Sequence, residues 1–154
     1  MPSNLDPALS TCPGFSLSTA ARISDTLFAN QLQTLELTPP LFAVMIVLEA
    51  SGPMTQSRLS DGVGIDKATM VRLVDALEQR AWVYRTPHPQ DARALLVELT
   101  AAALPVLEQA RIIEAESQRA LLQALSPLEQ RQFEALLARV IANLPTHETS
   151  VPPG

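Results

Sequence analysis

The unbroken apolar run from Leu41 to Leu48 constrains this chain more than any other feature. Thr38 stands before it as a helix cap, with Pro39 in the first turn where a missing N–H costs nothing, and Ser51-Gly52-Pro53 ends it. A helix that is apolar nearly all round has no face for water, so the remainder of the chain must surround it. The run is far too short for a bilayer span, which takes about 20 residues. With 154 residues, 47% hydrophobic and 18% charged, the chain is neither disordered nor too small to bury a core. One compact domain with an appended dimerisation element is the expectation. A single cysteine, Cys12, excludes an intramolecular disulfide and a four-cysteine zinc site. No basic cluster precedes an apolar stretch at the N-terminus, so a soluble, cytoplasmic protein with no membrane partner is expected.

Other elements arrange themselves around that central helix. Residues 1–14 hold Pro2, Pro7, Pro13 and Gly14 and read as a flexible arm, and residues 146–154 read as a frayed tail. Phe15 to about Leu35 reads as a helix with two apolar stripes, Ala20, Ile23 and Leu27, then Phe28, Leu32 and Leu35. Two stripes imply cover on more than one side, and so a partner chain. Thr55 caps a short helix carrying Leu59. Gly62 and Gly64 mark a tight turn, and Asp66 caps the next helix, whose inward stripe is Met70, Leu73, Val74 and Leu77. Trp82–Thr86 and Leu95–Leu99 read as two strands around a turn at Pro87–Asp91, a two-stranded wing behind a helix-turn-helix. Thr100 caps a long helix to about Leu125, with Pro105 delaying or bending its start. Ser126-Pro127 opens a last helix with Phe133, Leu136, Leu137, Val140, Ile141 and Leu144 spaced three and four apart. The fold class is therefore mainly α.

The net charge of −5 argues at first against nucleic acid. Its distribution is uneven: between Arg58 and Arg93, Arg58, Lys67, Arg72, Arg80, Arg85 and Arg93 outnumber Asp61, Asp66, Asp75, Glu78 and Asp91.

In order and spacing, Leu37-Thr38-Pro39-Pro40, Gly52–Ser60, Gly64–Glu78, Asp91-Ala92-Arg93-Ala94 and Leu99-Thr100 resemble the MarR family of winged helix-turn-helix transcriptional regulators. The resemblance covers about residues 15–144. It implies a winged helix-turn-helix at 37–99 and a helical dimerisation domain built from 15–36 and 100–145. A homodimer would then place two recognition helices in successive major grooves of duplex DNA, with half-sites about one helical turn apart. Thr55, Gln56 and Ser57 at a helix N-terminus suit phosphate oxygens. Lys67, Thr69 and Arg72 suit base edges, Arg best for guanine. Arg85 and His88 complete the wing side of the surface. The family's wing motif of Asp, one residue, then Arg is matched by Asp91 and Arg93. The expected physics is that Asp91 holds the Arg93 guanidinium for a narrow minor groove. Three positions depart from the family: Ala81 stands where Gly is usual, Ala92 where a second Arg is common, and Thr100-Ala101-Ala102-Ala103 replaces Thr-x-x-Gly.

The resemblance further implies a small-molecule effector, lipophilic or aromatic, between the dimerisation helices and the winged domain. Phe15, Phe28, Phe42, Met45 and Ile46 are the candidate lining, and Arg22 the candidate cation for an acidic ligand. The effector would relieve repression by holding the recognition helices at the wrong spacing.

Catalysis finds no support: Ser126 is a helix cap, and neither a Gly-rich phosphate loop nor a nucleophile elbow is present. His88 and His147 are the only histidines and have no metal-ligand spacing, so no metal and no cofactor are expected. Two other readings stand beside the regulator. One is a winged-helix protein-interaction module that does not bind DNA. The other is a regulator switched by oxidation of Cys12, a thiol in a Thr-Cys-Pro-Gly arm with no base beside it.

Overall fold

A computed structural model describes residues 6–144. Its contacts divide the chain into two units, one ending at Gln118 and one beginning at Arg119. The first unit opens with α1 (Pro7–Ser10) and α2 (Pro13–Leu32), which runs into a 3-10 turn at Gln33–Leu35. Part of the expected arm is thus ordered. Asp6 Oδ1 accepts the Ala8 N–H at 2.8 Å and starts α1, and α2 begins before the expected Phe15. The tail at 146–154, with His147, lies outside the described residues.

Next come α3 (Pro39–Ser51), β1 (Met54–Thr55), α4 (Gln56–Val63), α5 (Lys67–Gln79), β2 (Val83–His88), β3 (Asp91–Leu99) and α6 (Ala103–Leu122). Helix α3 is the centre of the core, as its composition requires: Leu41, Phe42, Val44, Met45 and Leu48 are all buried. Leu59 of α4 and Met70, Val74 and Leu77 of α5 pack into the same cluster, with Val83, Val97, Ala103, Leu107 and Ala110. Burying each large aliphatic side chain contributes roughly 1.5–3 kcal/mol. Polar bonds fix the flanking helices. Ser117 donates from α6 to Gln31 Oε1 of α2 at 2.9 Å, and Arg111 pairs with Glu49 of α3.

The sheet has three strands in the order β1-β3-β2, all antiparallel, where two were expected. The extra strand pairs Met54 with Val97 and Thr55 with Leu96, so the start of α4 is tied to the base of the wing. The hairpin is also longer and its turn tighter than expected, with only Pro89-Gln90 outside the strands. Thr100 is not the side-chain cap of α6. Its hydroxyl instead donates to the Ala81 carbonyl at 2.7 Å, and α6 begins at Ala103 with Pro105 harmlessly in its first turn.

The second unit contains the end of α6 and α7 (Pro127–Ala142). A reciprocal cap starts α7: the Glu129 N–H reaches Ser126 Oγ, and Glu129 Oε2 accepts the Ser126 N–H at 2.8 Å. The Ser126 hydroxyl and then its amide hold the Glu129 carboxyl below its ordinary range. No residue of α7 is buried, although Leu128, Leu136, Ile141 and the following Leu144 are large and apolar. Among the described residues no single helix is long and apolar enough to cross a membrane.

Candidate nucleic-acid interface

Asp66 decides where α5 starts. Its Oδ1 accepts the Thr69 N–H at 2.9 Å. The Thr69 hydroxyl, then the Thr69 amide, lower the Asp66 pKa. Because Met70, Val74 and Leu77 are fully buried, helical geometry turns Ala68, Val71 and Arg72 away from the core, where they are exposed, and Lys67 is exposed in the first turn. Arg72 donates from Nη2 to Thr69 Oγ1 at 3.1 Å. Its partner is neutral, so the guanidinium is oriented along the helix without losing its charge. Among the described residues no carboxylate lies at ion-pair distance from Lys67, Arg72 or Arg93.

The far end of α5 closes without a glycine. The Trp82 N–H reaches the Leu77 carbonyl at 3.0 Å and the Ala81 N–H reaches that of Glu78 at 2.9 Å, the paired bonds of a left-handed helix stop. Ala81 occupies the left-handed position at φ 56°, where a Cβ costs about 1–2 kcal/mol. The Thr100 hydroxyl on the Ala81 carbonyl helps hold it there. Arg85 then ties β2 back to α5 through Asp75, at 2.5 Å, and Glu78. The side chain retains only 18% exposure. Helix and wing are thereby clamped at both ends of their junction.

At the wing tip the ladder breaks. Pro87 faces Leu95, yet His88 faces Asp91, so residues 92–94 fall in the register shift. A bulge of this kind bends the strand and re-aims its side chains, and it leaves Arg93 exposed. Asp91 Oδ1 accepts the Arg93 backbone N–H at 3.0 Å. His88 Nδ1 accepts the Gln90 N–H at 3.1 Å. Both side chains therefore shape the turn. Lower on the hairpin Tyr84 faces Glu98, whose carboxylate pushes the phenol pKa up.

A second feature lies behind this surface. A cavity of about 430 Å³ opens between α2, α3, α4 and α6, lined in part by Phe28, Phe42, Ile46 and Val63. Phe28 and Phe42 meet edge to face with centroids 5.3 Å apart. Asp25 and Glu114 are its charged lining, and no basic side chain is among its walls.

Residues 37–95 match the family model described as MarR family. The multiple antibiotic resistance protein MarR of Salmonella typhimurium is 32% identical over 85 residues, 55% of this chain and 59% of that protein. The chain thus spans under two thirds of the length of that curated relative. The crystal structure of a probable transcriptional regulator from Pseudomonas aeruginosa superposes with a TM-score of 0.79 at 35% identity, covering 86% of this chain and 98% of that one. The transcriptional repressor CouR, bound to a 23-mer DNA duplex, superposes with a TM-score of 0.83 at 27% identity over 90% of this chain and 99% of its own. The PcaV transcriptional regulator of Streptomyces coelicolor, in complex with its natural ligand, gives 0.76 at 28% over 88% and 95%. The chain belongs to the MarR family.

On this winged helix the residues expected to meet DNA differ in exposure and in the bonds they make. Ser57, Lys67, Arg72 and Arg93 are exposed, and Thr69 is half-buried beneath Arg72. Thr55 spends its hydroxyl as the α4 cap, accepting the Arg58 N–H at 3.4 Å. Gln56 Nε2 is buried and finds no hydrogen-bond partner among the described residues. Arg85 belongs to the helix–wing clamp, because two carboxylates already hold it. The expectation that Asp91 grips the Arg93 guanidinium is corrected: the carboxylate takes the Arg93 amide. Val71, 44% exposed between Lys67 and Arg72, was missed; its signal was an aliphatic residue one step off the buried stripe.

Of the expected ligand set, Phe28, Phe42 and Ile46 line the cavity and Phe15, Arg22 and Met45 do not. Met45 is fully buried in the core, and Phe15 is 56% exposed on α2. Asp25, three residues along the helix from Arg22, reaches the cavity in its place. Cys12 is exposed at the start of α2 and makes no side-chain capping bond. Among the described residues no three His, Cys, Asp or Glu side chains cluster as metal ligands.

Proposed function

We propose that this protein is a sequence-specific, DNA-binding transcriptional regulator that works as a homodimer on a pseudo-palindromic site and represses until a small lipophilic ligand releases it. The observation that carries the reading is the outward face of α5. Val71 and Arg72 stand exposed there with Lys67 in the first turn, neither cation is in an ion pair among the described residues, Thr69 orients Arg72, and the wing bulge carries Arg93. The pair of cations suits guanine edges and phosphates, Val71 suits a thymine methyl, and Arg93 suits the minor groove. The N-terminus of α4 adds backbone amides toward phosphate. The similarity to the DNA-bound repressor CouR supports the same mode of use here.

Dimerisation is supported by α7, an amphipathic helix on which Leu128, Phe133, Leu136, Val140 and Ile141 are exposed. Phe15, Leu17 and Leu27 of α2 are exposed in the same way. The ligand-bound relative PcaV and the aromatic cavity behind α4 support an effector that changes the setting of α2 and α6 against the winged elements.

The test is fluorescence anisotropy with duplexes tiling the DNA upstream of the protein's own gene, across a salt series, with wild type and Arg93→Ala. Nanomolar binding to one tile is expected, falling steeply with salt and weakened about tenfold by Arg93→Ala. Weak binding equal on every tile and indifferent to Arg93→Ala contradicts the proposal. It would favour a protein-interaction module.

A further inference from the structure

We infer that the cavity between α2, α3, α4 and α6 takes an aromatic organic cation and discriminates against organic acids. The inference rests on the regulator reading for its consequence, since it names the chemical class of the effector. It stands on the cavity itself for its evidence.

The walls combine two features. One is aromatic: Phe28 and Phe42, at 5.3 Å and an interplanar angle of 78°, form an edge-to-face pair at the lining. Aromatic faces attract cations, by about 0.5–2 kcal/mol depending on desolvation. The other is charge. Asp25 enters from α2 and Glu114 from α6, and neither has a cationic partner among the described residues. The only hydrogen bond to the Glu114 carboxylate among those residues comes from the neutral Gln118 amide at 3.4 Å. The nearby guanidinium of Arg111 is engaged by Glu49. A carboxylate ligand entering here meets two negative charges and no positive one. A ring with an ammonium group meets the reverse.

The room suits the class. About 430 Å³ accommodates a bicyclic ring with a short charged arm. The walls also explain how occupancy reaches DNA. Val63 and Gly62 belong to α4, the helix packed against α5, whereas Asp25 and Glu114 belong to α2 and α6. A cation drawn between those carboxylates and the aromatic pair bridges the flanking helices to the helix-turn-helix and fixes their separation.

The experiment uses the full chain and two probes with one ring system and opposite charge, 1-naphthylmethylammonium and 1-naphthylacetate. Isothermal titration calorimetry gives their affinities for wild type, Asp25→Asn/Glu114→Gln and Arg22→Gln, with circular dichroism confirming that each variant is folded. The expected result is a preference of about tenfold or more for the cation in wild type. The paired substitution should abolish most of it, and Arg22→Gln should leave it unchanged. Equal affinities, a tighter acid, no binding of either probe, or a preference that survives the paired substitution overturns the inference. Duplex binding is measured on the same samples. Intact DNA binding without cation preference overturns the ligand class and leaves the regulator standing, whereas cation preference in a chain that binds no duplex supports the ligand class and removes its proposed consequence.

Discussion

The winged segment from Leu37 to Leu99 and the C-terminal helix α7 carry similar apolar spacing and meet different fates. In the winged segment the spaced residues close on one another: Leu59, Met70, Val74 and Leu77 retain no exposure. In α7 the same spacing leaves Leu136 57% and Ile141 62% exposed. Periodicity thus reports that a face must be covered, not which chain covers it. The winged segment supplies its own cover through α3, the one helix that is apolar all round. Helix α7 has no such companion among its neighbours in sequence, and it carries a strong capping box, so it is well started as a helix and incomplete as a packed element.

That contrast can be broken by substitution. Leu77→Ala removes a fully buried side chain and should cost about 2–5 kcal/mol of unfolding free energy, read by urea denaturation. A cost below about 1 kcal/mol would mean the winged core is not what holds this segment. Leu136→Glu with Ile141→Glu should leave the circular dichroism of the winged segment intact. It should weaken self-association at least about a hundredfold, read by sedimentation equilibrium. If association survives both charges, α7 is not the interface.

Smaller effects sharpen the junction between recognition helix and wing. Ala81→Gly should stabilise the protein by about 1 kcal/mol, because the left-handed stop at φ 56° loses its Cβ penalty. A destabilised variant would show that the Ala81 methyl makes packing contacts that outweigh the backbone strain. The caps should add a pH signature. Asp66 and Glu129 are both lowered in the folded chain, so their stabilisation is complete above the ordinary carboxylate range and is lost as pH falls through their lowered values. Denaturation midpoints of wild type should therefore drop between about pH 5 and pH 3. The drop should be shallower in Asp66→Asn with Glu129→Gln, since neither amide titrates.

Local chemistry made much of this legible beforehand. Caps at Asp66 and Ser126, the glycine stop at Gly64, the buried stripe of α5 and the order of helices are all decided within a few residues of chain, and sequence spacing records such decisions. What escaped depends on partners far away in sequence. Strand β1 is two residues long and exists only because β3 lies beside it. Thr100 is a plausible cap until Ala81, 19 residues earlier, offers a carbonyl. Arg85 looked like a surface cation because Asp75 and Glu78 lie on another element. At the cavity the choice between Arg22 and Asp25 turned on which side of α2 faces α3, a rotation that the two stripes of that helix left undecided. Of the lining that the family resemblance implied, Phe28, Phe42 and Ile46 stand at the cavity, beside the carboxylates of Asp25 and Glu114.

The most direct measurement is the mass of the protein–duplex complex on the tile that binds best, by analytical ultracentrifugation of wild type and of Leu136→Glu/Ile141→Glu. Two chains on one duplex are expected for wild type, with the variant failing to form that complex at the same concentration. A single chain bound with undiminished affinity in both proteins would contradict the dimeric regulator described above.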